Sequence, residues 1–184
     1  MPSLKCTQKL LKVIGVQPVA GVESSSPSAL LGDWYANLLV TARQKVLLFT
    51  NEPTLYSFAV LGVRKPDLDR IAEVFVEHLR LNLAHEEIPA HVIARVVSAY
   101  RDMTITRTDN RSVLGSMNDL AEMLEHYVFD AGGPGACNIL EINKQLNQSP
   151  HKPLAWKSSA EVLRERLLSE VSIPGRPIRR VFVN

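Results

Sequence analysis

A change of period at Pro66 constrains the fold of this chain more than any other feature. Before it lie three short runs, "WYANLLVT", "KVLLFTN" and "YSFAVLG", rich in aromatic and β-branched residues. In the first, Trp34, Ala36, Leu38 and Val40 alternate onto one face. The connections "ARQ" and "EPTL" are of hairpin length, so strands over 34–41, 45–51 and 56–61 are expected to form an antiparallel meander. From Pro66 and Asp67, which suit a helix first turn, the spacing becomes helical through Leu68, Ile71, Phe75, Leu79 and Leu83. The expectation is an α+β fold, with an antiparallel β-meander and helices packed on one face.

The remaining segments fit around that frame. "SLKCTQKLLKVIG" reads as a strand entering a helix, with Thr7 as N-cap and Gly15 as stop. Residues 16–33 are rich in Pro, Gly and Ser and read as a loop. Ile88, Val92, Val96 and Tyr100 mark a further helix, and "MTITRT" a strand whose residues 103–107 join or extend the sheet. Val113, Met117, Leu120, Ala121, Leu124 and Val128 give the clearest amphipathic helix, and two more helical segments lie between Ile139 and Val171. The expected core includes Leu68, Ile71, Phe75, Leu79, Val113, Met117, Leu120 and Leu124. At 184 residues the chain suits a single α+β domain over 1–171, followed by a basic tail at 172–184. That tail holds Arg176, Arg179 and Arg180.

Composition narrows function mainly by exclusion. A formal net charge of +2 argues for no broad nucleic-acid face. Cys6 and Cys137 are far apart with no CxxC, so no redox or metal motif follows and none is expected. No signal-peptide run or membrane-length apolar stretch is visible, and the expected location is cytoplasmic, away from membranes. No P-loop or Rossmann fingerprint is present and no cofactor is expected. No serine sits in GxSxG, and neither cysteine has a plausible base beside it in sequence.

The densest polar stretch is "TRTDNRSVLGSMNDL", residues 106–120, where a strand runs into the strongest helix. A helix start carries unpaired N–H groups and partial positive charge, which welcome an anion. Arg107 and Arg111 would add full charges beside it. Asp109 or Asn110 could equally cap the same groups with no ligand at all. Ser112, Ser116 and Asp119 recur on the side opposite Met117 and Leu124, with Gly115 between them.

Other groupings have simpler readings. His78 and His85 lie seven apart without HExxH, which fits helix packing better than metal ligation. Asp67, Asp69, Glu73 and Glu77 fit a solvated helix face. Trp34, Tyr35, Phe49, Tyr56 and Phe58 could stack bases, but sparse Lys and Arg on those strands favour core packing.

Several blocks are familiar together. "CTQKLLK", "GDWYANLLVTARQKVLLFTNEPTLYS", "NRSVLGSMNDL" and "LNQSPHKPLAWKS" resemble, in the same order, a bacterial and archaeal family, domain of unknown function six-nine-three-three. The resemblance spans about residues 4–168 and implies no established activity. Its polar motif positions correspond to Asn37, Asn51, Thr54, Asn110, Arg111, Ser112, Ser116, Asn118 and Asp119. The segment "LNQSPHKPLAWKSSAEVL" is also similar to a proline-rich turn and helix ending many integrase-type transposases, with no acidic triad placed upstream.

Three functions remain open on this reading. The first is a non-enzymatic binding or regulatory module with an anion- or phosphate-binding strand–helix junction. Its site would draw on Arg107, Asn110, Arg111, Ser112, Ser116, Asn118, Asp119, Asn37 and Asn51. The partner would be an anionic small molecule, a nucleic-acid phosphate or another protein. The second is a small phosphate-ester enzyme, such as a nuclease or toxin-type protein, with Asp119 as base and Arg111 stabilising charge. Toxin–antitoxin or phage-defence proteins of this size suit either. The third is a structural protein that oligomerises through a sheet edge or tail.

Overall fold

A computed structural model of the chain describes residues 1–19 and 30–169. The basic tail and most of the Pro/Gly/Ser-rich loop lie outside the described residues. The elements run β1 (Ser3–Cys6), α1 (Gln8–Ile14), β2 (Trp34–Thr41), β3 (Gln44–Asn51), β4 (Ser57–Leu61), α2 (Lys65–Asp69) and α3 (Ile71–His85). They continue with α4 (Ala90–Ala99), β5 (Thr104–Arg107), α5 (Arg111–Asp130), α6 (Ile139–Leu146) and α7 (Ser159–Ser169). Thr7 caps α1 and Gly15 ends it in the left-handed conformation.

The fold is α+β around one five-stranded sheet of order β4-β3-β2-β1-β5. The β2–β3–β4 meander is antiparallel. Strand β1, however, lies parallel to both β2 and β5, so the sheet is mixed. The physical reason is the connection length. Hairpin loops join β2 to β4, whereas β1 reaches β2 through α1 and the stretch after it, a crossover that permits parallel pairing.

Helices cover both faces of the sheet, not one. Leu4, Cys6, Trp34, Leu47, Phe49 and Phe58 belong to a core with Leu10, Phe75, Leu79, Val92, Val96 and Leu163. Tyr35, Val46, Leu48 and Ala59 look the other way, onto Val113, Met117, Leu120 and Leu124 of α5 and Ile142 and Leu146 of α6. Period-2 alternation thus feeds two cores, and all eight expected core residues are buried, four in each. The aromatic residues weighed as a base-stacking face are core: Trp34 meets Phe75 at 5.1 Å and Phe49 meets Phe58 at 5.1 Å between ring centres.

Candidate functional site

Lysine 5 occupies a strand buried along its whole length. A charge so placed demands partners. The register pairs Lys5 with Tyr35, which sets both side chains on the α5 face of the sheet. The ammonium lies 2.9 Å from Glu52, 3.0 Å from Asp109 and 3.5 Å from Asp33. Tyr35 donates its hydroxyl proton to the Asp109 carboxylate and accepts from the backbone N–H of Asn110 at 3.1 Å. Burial disfavours the Lys5 charge, but hydrogen bonds to Glu52 and Asp109 outweigh it and hold the ammonium firmly protonated. Burial likewise opposes ionisation of Asp109, yet Tyr35 and Lys5 hold its carboxyl below the usual range.

This cluster sits at the start of α5, the expected anion site. Asn110 caps the helix, its Oδ1 accepting from the N–H groups of Ser112 (3.0 Å) and Val113 (3.4 Å). Its Nδ2 donates to Glu52 at 3.3 Å. The positive helix end therefore faces the protein's own carboxylates, Glu52 and Asp109. Three carboxylates surround one lysine there, so the surroundings disfavour a further anion.

Arg107 goes elsewhere. Alternation along β5 sets it opposite Cys6, on the α1 side of the sheet and away from Lys5 and α5. It lines a concave site of about 300 Å³ with Gln8, Lys12, Gly15, Gln17 and Pro18. Neither Arg107 nor Lys12 forms an ion pair with a carboxylate among the described residues. The site lies at the carboxyl ends of the parallel strands β1 and β5, where open sheets of this kind leave room for ligands.

The other sequence-derived residues disperse. Arg111 and Ser112 are exposed in the first turn of α5, and Ser116 is half-buried one turn on. Asn118 and Asp119 are exposed. Asp119 stands eight residues from Arg111, about 12 Å along the helix, and both side chains are exposed. The Asp119 charge is felt by His151, whose burial still favours the neutral imidazole. Asn37 accepts from the Thr7 hydroxyl at 2.9 Å. Asn51 is fully buried and shapes its turn, donating to the Leu31 carbonyl (2.8 Å) and accepting from the Thr54 hydroxyl (2.7 Å).

Lys5, Asp33, Glu52, Lys12 and Gln8 were not singled out from sequence. Lys5 carried only a misleading signal: between Leu4 and Cys6 the alternation reads as a solvent-facing position, and it is the covering of both faces that buries it. Lys12 and Gln8 carried none, because an exposed helix face is polar with or without a ligand.

Among the described residues no group of three or more His, Cys, Asp or Glu is placed to hold a metal ion. No described helix is long and apolar enough to cross a membrane. Burial pushes the Cys6 thiol up to about 12, which leaves it protonated and unreactive. The chain belongs to the family described as Domain of unknown function (DUF6933), whose model matches residues 3–162. No curated protein matches it.

Proposed function

We propose that this member of the DUF6933 family is a non-enzymatic binding module that takes a small anion at the carboxyl ends of β1 and β5. One observation carries the reading: Arg107 and Lys12 meet in a concave site of about 300 Å³, and neither is neutralised by a described carboxylate. The acidic groups gather on the opposite face, around Lys5. Arg107 supplies a planar fork suited to a carboxylate or phosphate, Lys12 a second charge, and Gln8 and Gln17 neutral donors. The described lining holds no carboxylate, imidazole, thiol or hydroxyl, so it offers binding groups without a nucleophile or general base of those kinds. Of the residues expected at an anion site, Arg107 alone lines this one, while Asn110 caps α5 and Asn51 organises its turn.

Thermal unfolding in orthophosphate, sulfate and a dicarboxylate, at constant ionic strength, tests this. At least one anion is expected to raise the midpoint in a saturable way, because a ligand bound to the folded state stabilises it. Arg107→Ala is expected to lower the rise sharply and Arg107→Lys to lower it less. No saturable rise, or the same rise in Arg107→Ala, overturns the reading.

A further inference from the structure

The β2–β3 connection has two central residues, Ala42 and Arg43, with φ of 47° and 67°. A two-residue hairpin turn of this kind needs left-handed backbone at both positions and ordinarily uses Asn-Gly. Alanine and arginine give no relief there, and strained turns of this sort concentrate at functional sites. Beside the turn, the Val63 N–H donates to the Lys45 carbonyl at 3.0 Å, which carries the β3–β4 pairing past Leu61 and brings Arg64 alongside. A concave site of about 340 Å³ results, lined by Arg43, Gln44, Lys45, Gly62, Val63 and Arg64.

Three cationic side chains meet there and none pairs with a described carboxylate. The nearby acids are engaged locally. Asp67 accepts from the backbone N–H of Arg64 at 2.8 Å, and Asp69 pairs with Lys65 at 3.0 Å.

We propose that this turn site binds the polyphosphate group of a small molecule. Two guanidinium forks and one ammonium match a group that carries several oxygens and more than one negative charge. A single carboxylate would leave most of that charge unanswered. The inference is independent of the Arg107 reading. Strand β2 runs five residues beyond Ala36, the partner of Cys6, so about 16 Å of strand separates the two sites.

Backbone amide shifts during titration with inorganic pyrophosphate test the proposal. Saturable shifts are expected at residues 43–45 and 62–64. Arg64→Ala and Arg43→Gly should each weaken binding about ten-fold, while Arg107→Ala leaves binding at this turn unchanged. Arg43→Gly should also raise the thermal midpoint, because glycine accepts the left-handed backbone, so lost affinity there cannot be lost folding. A nucleoside diphosphate that binds more tightly than pyrophosphate identifies an organic carrier, and equal affinity identifies the phosphates themselves. Absence of saturable shifts at the turn, wild-type affinity in both variants, or tight single-stranded oligonucleotide binding that pyrophosphate does not displace overturns the proposal.

Discussion

Asn147 holds the backbone of Ser57 as a neighbouring strand would. Its Oδ1 accepts from the Ser57 N–H at 2.8 Å and its Nδ2 donates to the Ser57 carbonyl at 2.6 Å. One turn earlier Asn143 treats Ala59 in the same way, at 2.8 and 3.2 Å. Four residues of helix rise about 6 Å and two residues of strand about 6.7 Å, so α6 can lie along β4 and serve alternate residues of its edge. The pair closes an edge that would otherwise be open to strand addition.

Asn147→Leu should therefore cost about 2–4 kcal/mol in urea unfolding, since it strands a buried N–H and carbonyl of Ser57. A loss below about 0.5 kcal/mol would mean that the edge finds other partners.

The Lys5 cluster makes a prediction about acid. The folded-state pKa of Asp109 is depressed, so its stabilising contribution is present above the unfolded carboxylate value of about 3.9 and is lost as pH falls through the lower folded value. Asp109→Asn should be less stable than wild type near neutral pH, and the two should converge in strong acid. Urea midpoints of both proteins across that range check it. A constant difference at every pH would contradict the ion pairing of Asp109.

Replacing Lys5 by Met tests the same cluster from its centre. It leaves Asp33, Glu52 and Asp109 facing one another without a cation, at an expected cost of about 3–5 kcal/mol at neutral pH. Asp109 then lacks the ammonium that helps to hold its carboxyl low, so the variant should lose less stability than wild type as pH falls below about 4. Equal acid sensitivity would show that Asp109 does not feel Lys5.

The two cores can be told apart by additivity. Phe75 and Leu120 are both fully buried but lie on opposite faces of the sheet. Phe75→Ala should cost about 3–5 and Leu120→Ala about 2–5 kcal/mol. Their double variant should equal the sum within about 0.5 kcal/mol. A larger departure would mean that the faces are coupled through the strands.

Much of this arrangement was legible in the residues. Alternation in "WYANLLVT" and the helical recurrence after Pro66 located the meander and helix α3, because both periods follow from backbone geometry. The covering of both faces was also written in the strands. "KVLLF" is apolar at consecutive positions, Val46 and Leu48 one way and Leu47 and Phe49 the other, which a sheet wet on one side does not need. The parallel placement of β1 was harder to read, since a strand of four residues has no hairpin to fix its neighbour. The site was least legible of all. Thr106 and Arg107 are adjacent in sequence, yet alternation sends them to opposite faces, so a polar cluster along the chain became two separate environments in space.

On the function proposed above, anions bind beside Arg107 and not at the capped start of α5. Backbone amide shifts in a titration with orthophosphate test it most directly. Saturable changes are expected at Gln8, Lys12, Gln17 and Arg107, absent in Arg107→Ala, with Arg111, Ser112 and Val113 unmoved. Changes centred on Arg111, Ser112 and Val113, or the same pattern in Arg107→Ala, would contradict it.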